Sequence, residues 1–439
     1  MWCSPLPASR AALGLLCMLS PGLALAANGY IQYGYGTASK SMGGVSYALP
    51  QDALIPSSNP AGLVEVGSRF DFGVDYLAPH RGGSIQGNRQ ITLASADGNW
   101  DANDISQFYV PEFGIARRHN DRLSYGLAVY GNGGLNTEYS TNPYGGFGAT
   151  GHAGTDLLQV FVTPALAYRL TERQAIGVGI NLAFQQLQAY GLDVFATKSF
   201  PGPFSESPDH LTNQGRDRSF GYGYRLGYFA EPLEGLTFGA SWQPRTNFQR
   251  FDKYRGLIRD QGKLDVPAKY GAGVAWHSDF GLTLAFDVER IDYAKVPAIG
   301  TPLQPLLDGA LLGSDNGPGF GWRSVTAYKF GTSYELTPTL RLAAGFGTVR
   351  QPIPRDQTLL NLLTPAILED RYTAGFVYRM EAVAISGYYM YGPENVVHGK
   401  NSIPPNQLAN PLPPQSFGGG EADLRADGSC FGFSIGYQF

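Results

Sequence analysis

The sequence predicts an all-β protein, a 14-stranded antiparallel transmembrane β-barrel, and three observations predict it. Apolar residues alternate with small or polar ones at period two over long segments. The connections between those segments alternate short and long. Beyond the first thirty or so residues, no apolar run is long enough for a bilayer-spanning helix, which needs about 20 residues.

Composition narrows the class before any segment is considered. The 439 residues carry 32 Lys+Arg against 36 Asp+Glu, so no basic surface is available to neutralise a run of phosphates, and nucleic acid is not expected as a partner. Only 15% of residues are charged and 13% are aromatic, which argues against a disordered chain. The 58 glycines are nearly twice the share of roughly 7% usual in soluble proteins.

The first element is an address. Arg10 precedes the apolar stretch 11–19, a Pro21-Gly22 break and the small-x-small sequence Ala24-Leu25-Ala26. Residues 1–26 are therefore expected to be a signal peptide. Its removal takes Cys3 and Cys17 with it and leaves Cys430 alone, so neither an intrachain disulfide nor a cysteine metal site is expected.

Residues 69–439 supply the strands. Phe431, Phe433, Ile435, Tyr437 and Phe439 alternate with Gly432, Ser434, Gly436 and Gln438. Ile176, Val178, Ile180 and Leu182 alternate with Gly177, Gly179, Asn181 and Ala183, and Leu284, Phe286 and Val288 with Ala285, Asp287 and Glu289. Side chains of a strand point to opposite faces in turn, so one face is greasy and the other small or polar. Fourteen such segments are expected near 69–78, 107–118, 122–131, 155–169, 174–190, 218–230, 236–250, 263–277, 280–292, 322–335, 339–350, 368–379, 382–392 and 429–439. Many are longer than the usual globular strand of about 5–6 residues and suit a tilted membrane crossing of about 9–11.

Tight turns fall around 119–121, 171–173, 231–235, 278–279, 336–338 and 380–381, and the seven other connections are long. A barrel with short turns at one end and long loops at the other has that rhythm, whereas a soluble sandwich has no reason to keep it. Closure follows from the solvent. In hydrocarbon each unpaired backbone group costs several kcal/mol, and only helices and closed barrels avoid that cost. Tyr388, Tyr389 and Tyr391, and Tyr222, Tyr224 and Tyr228, near strand ends suit interfacial girdles. Phe439, ending an alternating aromatic strand, resembles the signal by which barrel-assembly machinery recognises its clients.

Residues 27–68 lack alternation and are rich in Gly, Ala and Ser. Asn59-Pro60 is a helix start, since Asn caps and Pro fits the first turn. The block is too small to bury a core alone, so it is either a plug packed against the walls of the lumen or a disordered tail.

Here the residues carry a family resemblance. Met42-Gly43-Gly44, Asp52 and Asn59-Pro60-Ala61-Gly62 are followed in order by Val110-Pro111, the run Gly134-Leu135-Asn136-Thr137-Glu138-Tyr139, Tyr168-Arg169-Leu170, Phe330-Gly331-Thr332-Ser333-Tyr334 and Arg371-Tyr372-Thr373-Ala374-Gly375. Together they resemble the FadL/TodX family of outer-membrane transporters for long-chain fatty acids and aromatic hydrocarbons. The resemblance implies that 27–68 is a small helical hatch inside the barrel. It also implies that a hydrophobic substrate is bound beside the hatch and leaves sideways through a gap made by an inward kink of the third strand. Gly133 and Gly134 would supply the weak point in that strand, with Gly131 before them and Asn136 beyond, the competing reading being that 131–134 is the start of a long loop; Asn59, Pro60 and Ala61 would form the hatch kink. By alignment within this family, Arg323, next to Trp322, is the candidate for a head-group contact; the competing reading is a rim arginine meeting lipopolysaccharide. Gly191 and Gly131 stand where the fatty-acid subgroup has an arginine and a serine, so the site reads as less polar and favours neutral hydrocarbons.

Enzyme chemistry finds no support. The six histidines show no ligand spacing, and neither a nucleophile elbow nor a phosphate loop occurs, so no metal, cofactor or catalytic residue is expected. A general porin and a surface adhesin or receptor are the alternatives to a transporter. Expected partners are a hydrophobic small molecule, outer-membrane lipid or lipopolysaccharide and the assembly machinery, with the barrel a monomer in the outer membrane.

Overall fold

A computed structural model describes residues 27–89, 94–198, 203–405 and 417–439; the expected signal peptide and residues 406–416 of the last long loop lie outside these residues. Fourteen long strands follow one another: β1 (Arg69–Gln86), β2 (Phe108–Arg118), β3 (Leu123–Tyr139), β4 (Ala153–Thr171), β5 (Gln174–Tyr190), β6 (Asp217–Leu233), β7 (Leu236–Gln243), β8 (Lys269–His277), β9 (Leu282–Ile291), β10 (Val325–Glu335), β11 (Leu340–Val349), β12 (Asp370–Met380), β13 (Val383–Val397) and β14 (Glu421–Gln438). Each pairs antiparallel with its neighbour in sequence, and β14 pairs with β1 from Glu421 opposite Gln86 to Gln438 opposite Arg69. The sheet closes on itself, as the alternation requires.

The greasy face points outward. Ile176, Val178, Ile180 and Leu182 of β5, and Phe431, Phe433, Ile435 and Tyr437 of β14, are exposed, while their alternating neighbours face the interior. Tyr222, Tyr224, Tyr228, Tyr389 and Tyr391 are exposed as girdle residues should be. Tyr388 is not. It is buried, and its hydroxyl donates to Asp75 Oδ1 at 3.0 Å, because period two sends Tyr388 and Tyr389 to opposite faces.

Several strand ends differ from expectation. β1 runs to Gln86 rather than 78, β3 to Tyr139 rather than 131, and β14 begins at Glu421 rather than 429. At the long-loop end the outer face of β1 and β14 is polar, with His80 beside Asp427 at 3.0 Å. The ladder continues there while the hydrophobic period stops. β7 is shorter than expected, ending at Gln243, because Pro244 has no N–H for a ladder; Asn247 and Phe248 then rejoin β6. Helical turns also occur, at Thr37–Ser41, Pro60–Val64 and within the long loops, each far too short to span a membrane.

Residues 28–64 are almost wholly buried. Their surroundings are the inward residues of the strands. Ser46 and Tyr47 N–H donate to Asp287 Oδ2 at 2.7 and 3.1 Å, and Ala53 N–H to Asp71 at 2.9 Å. Lys40 Nζ lies 2.5 Å from Asp75 and 2.7 Å from Glu112, all three buried. Glycines at inward positions make the room. A Cβ on Gly239 would lie 1.7 Å from the Tyr47 carbonyl oxygen, and one on Gly177 would lie 2.3 Å from the Ala61 nitrogen. The high glycine content thus has a structural use: the wall is thinned where a second backbone lies against it.

Candidate functional site: a break in the third strand and the aromatic cluster beside it

β3 keeps its ladder with β4 from Leu123 opposite Tyr168 to Tyr139 opposite Ala153, with one extra residue, Asn132, between Gly131 and Gly133. Its ladder with β2 stops at Val129 opposite Phe113. The rest of the β2 edge, 108–112, pairs with β1 on one side and has no β3 partner on the other. A bulge bends its strand, and beyond Tyr130 the burial pattern of β3 loses its alternation because nearly every residue is enclosed. The strand has turned inward and left the β2 edge at 108–112 without a backbone partner in the wall.

The N-terminal segment meets β3 at the bend. Ile31 pairs with Gly133, and Gly134 N–H donates to the Tyr30 carbonyl at 2.9 Å. Gly133 permits this approach, since a Cβ there would lie 2.1 Å from the same carbonyl oxygen. Further on, Thr137 Oγ1 and Tyr139 OH donate to the Leu363 and Leu362 carbonyls at 2.9 and 2.7 Å, which docks the displaced strand on a long loop. At the long-loop end a strap at 102–104 rejoins it, with Glu138 N–H donating to the Ala102 carbonyl at 3.1 Å.

Arg81 spans the remaining distance. Its side chain is buried; Nη2 donates to the Ile105 carbonyl at 2.6 Å and Nη1 to the Asn136 carbonyl, and the guanidinium lies 5.7 Å from the Phe108 ring centre. One side chain therefore joins β1, the strap and the displaced end of β3. Sequence reasoning missed it because β1 was expected to end at 78. The available signal was phase: Arg81 is in register with the inward residues Asp71 and Asp75.

Beside the bend is a buried, close-packed aromatic cluster. The rings of Tyr30, Tyr293 and Trp322 lie 5.2–5.9 Å apart, and Trp322 Nε1 donates to Asn361 Oδ1 at 2.6 Å. Tyr35 packs edge-on to Tyr130 at 4.6 Å, and its hydroxyl donates to Asn132 Oδ1 at 3.2 Å. Asn132 Nδ2 donates to Gln159, Gln159 Nε2 to Gln185 and Gln185 Nε2 to the Leu264 carbonyl, a chain of neutral amides along the interior. The Tyr30 hydroxyl lies beside Gln159 without completing a hydrogen bond. Two buried cations nearby share one carboxylate: Lys269 and Lys329 lie 3.7 and 3.4 Å from the two Glu289 oxygens. Arg225 donates to the Ser58 carbonyl at 3.1 Å and to Gln243. The chemistry gathered at the cluster is aromatic surface and neutral polar groups.

The expected site residues divide accordingly. Gly131, Gly133, Gly134 and Asn136 lie at the break, and Trp322 in the aromatic cluster beside it. Asn59, Pro60 and Ala61 form a second locus. The Asn59 carboxamide caps a short helix by accepting from Ala61 N–H at 3.2 Å, and it donates to the Tyr47 and Tyr228 carbonyls at 2.8 and 2.9 Å. Gly191 is a turn residue at the end of β5 with φ +74°, where a Cβ would lie 2.1 Å from the His152 carbonyl oxygen, so it lines no pocket. Arg323 is exposed and lines a groove on the outer surface with Arg290 and Tyr328, away from Trp322. No cluster of three or more His, Cys, Asp or Glu side chains suited to a metal occurs among the described residues.

A family profile described as "Outer membrane protein transport protein (OMPP1/FadL/TodX)" matches residues 23–439. The long-chain fatty acid transport protein of Escherichia coli O6:H1 is 22% identical over 388 residues, 79% of this chain and 82% of that one. The crystal structure of a Pseudomonas aeruginosa FadL homologue superposes with a TM-score of 0.67 at 16% identity, covering 94% of this chain and 100% of the other. That of the Pseudomonas putida toluene transporter TodX gives 0.64 at 16% identity, covering 93% and 99%. At such identities the structural likeness bears on the fold alone.

Proposed function

Because the chain belongs to the outer-membrane transport protein family OMPP1/FadL/TodX, whose members are transport channels and not enzymes, we propose that it carries a neutral hydrophobic compound inward through the outer membrane and releases it sideways. In this reading residues 27–68 are the hatch. The long loops face the outside, and the substrate passes from their apolar underside to the cluster of Tyr30, Tyr293 and Trp322. It leaves between β2 and β3.

The observation that carries the reading is the loss of β2–β3 pairing beyond Phe113 and Val129, next to a buried aromatic cluster. The energetics favour a lateral exit. Burial of apolar surface is worth about 25 cal/mol per Å², which a greasy solute keeps by passing from protein interior to lipid and forfeits by crossing water. The path also starts on apolar ground: the rings of Phe195, Phe204 and Phe417 lie 6.0–6.1 Å apart beneath the long loops.

A neutral substrate is favoured over a carboxylate because the cations of the interior are engaged. A buried carboxylate needs a cationic or hydrogen-bonding partner of its own, whereas Lys269 and Lys329 already pair with the Glu289 carboxylate and Arg225 with neutral oxygens. A fatty acid remains the second reading, because the Escherichia coli relative is named for that substrate. Uptake by a deletion strain carrying this protein, compared on aromatic hydrocarbons and long-chain fatty acids, tests the choice. Rescue on fatty acids only would overturn the neutral reading. Replacing Asn59 or Pro60 should impair uptake while the barrel stays folded; normal uptake would count against the hatch.

A further inference from the structure

We propose that the outer face of β9, β10 and β11 holds a phosphorylated glycolipid of the outer leaflet, with its phosphates in a cationic groove at the extracellular rim and an acyl chain in an apolar furrow below. The inference rests on the outer-membrane location and is independent of which substrate is carried.

The groove has a volume of about 810 Å³ and is lined by Arg290, Arg323, Arg350, Arg355 and Lys400, with one carboxylate, Asp356. Two of these cations are partly engaged. Arg290 donates to Thr326 at 3.1 Å and lies 3.5 Å from Asp292, and Arg355 donates to the His398 carbonyl at 2.8 Å. Arg323, Arg350 and Lys400 form no ion pair among the described residues. Five cations converging on one groove repel one another, and that repulsion is stronger beside hydrocarbon than in open water. An anion relieves it. Guanidinium groups present paired N–H donors that match phosphate oxygens, so phosphate is the anion the groove suits.

The furrow supplies the other half of an amphiphile. It has a volume of about 590 Å³ and lies on the same strands, with Leu284, Phe286, Phe330 and Phe346 around the small side chain of Ala344. The Phe286 and Phe330 rings lie 4.7 Å apart. Along β9, Phe286 and Arg290 are four residues apart and face outward together. That separation is roughly 13 Å at about 3.3 Å per residue. With a strand tilt of about 35–45° it amounts to roughly 10 Å along the bilayer normal, about a third of a hydrocarbon core of about 30 Å, so a furrow in the outer half of the slab places the cations at headgroup height. Strands β9–β11 lie on the far side of the cylinder from the β2–β3 break, so the substrate's exit does not account for this site.

The test uses protein refolded in detergent and free of lipid. It is titrated with diphosphorylated lipid A, with the same lipid stripped of both phosphates, and with inorganic pyrophosphate. Diphosphorylated lipid A is expected to bind with one-to-one stoichiometry. Removal of its phosphates should weaken binding about tenfold or more, the loss expected when charge-assisted hydrogen bonds disappear. The double variant Arg350→Glu/Lys400→Glu should show a similar loss, and Ala344→Trp, which fills the furrow without touching a charge, a smaller one. Unchanged heat-modifiable mobility on gels checks that each variant is a folded barrel. Equal binding of the two lipids, or binding unmoved by the charge reversal, overturns the proposal. So does pyrophosphate competing as well as lipid A, which would leave the furrow without a role.

Discussion

Arg81 of β1 and Asn136 of β3 are joined by a hydrogen bond from guanidinium to backbone carbonyl at the place where no ladder connects β2 to β3. A side chain thus does in the barrel wall what backbone pairing does elsewhere, and a side-chain tie is easier to break than a ladder. The break in pairing is bordered by a contact that a single substitution removes.

Replacing Arg81 by Met keeps the length of the side chain and deletes its donors. The hydrogen bonds lost are charge-assisted, each worth about 1.5–3 kcal/mol. We expect the displaced end of β3, residues 133–139, to exchange amide hydrogens faster while the β3–β4 ladder nearer the short turns stays protected. Entry of a small aromatic substrate should rise. Unchanged exchange at 133–139 would mean that Arg81 holds nothing in place.

Gly133→Val addresses the bend itself. A Cβ has no room beside the Tyr30 carbonyl, so β3 must move away from the N-terminal segment. Uptake is expected to fall about tenfold or more, as misplacement in a shaped path can cost, in a barrel that still migrates as folded. Wild-type uptake would remove lateral exit as the route.

Lys40→Met leaves Asp75 and Glu112 buried without their shared cation. Breaking a buried ion pair from one side costs about 3–5 kcal/mol. The expected result is release of residues 37–64 to protease at denaturant concentrations that leave the barrel intact, with partial recovery on adding Glu112→Gln. A protection profile equal to wild type would show that the cation contributes nothing to docking.

Asp52 makes the docking of the N-terminal segment depend on pH. Burial, with Asp71 nearby, pushes its carboxyl up from 3.8 to about 7, against the pull of Arg69. The docked state therefore binds the proton more tightly than the released state. Its contribution is complete below pH 3.8 and is lost as pH rises through about 7. Hydrogen exchange in residues 37–64 should be slower at pH 5.5 than at pH 8, after correction for the intrinsic rate. Asp52→Asn should flatten that difference, since the amide oxygen can still accept from Leu54 N–H as Oδ1 does at 2.9 Å. A pH dependence that survives in Asp52→Asn would assign it to another group.

Much of this was legible in the chain. Ile176 to Leu182 and Phe431 to Phe439 declared their outward face because period two and a greasy solvent leave no other arrangement. Asn59-Pro60 announced its cap because the required geometry is local. Less legible were the ends of β1 and β14, where the outer face leaves the lipid and its residues cease to report the ladder. Arg323 was assigned to a ligand head group by alignment alone; it lies on the outer face, with Arg290 and Tyr328.

By itself the sequence determined the barrel, its strand number and the Asn59-Pro60 cap, since each follows from side-chain alternation, turn chemistry and the cost of an unpaired peptide group in hydrocarbon. Only the tertiary structure decided that β3 leaves β2 after Val129, that Arg81 reaches Asn136 and that Tyr30, Tyr293 and Trp322 pack in one cluster. Those are contacts between residues far apart in the chain. Local pattern fixes the face on which a side chain lies, and only closure of the cylinder around its own N-terminal segment fixes what that face meets.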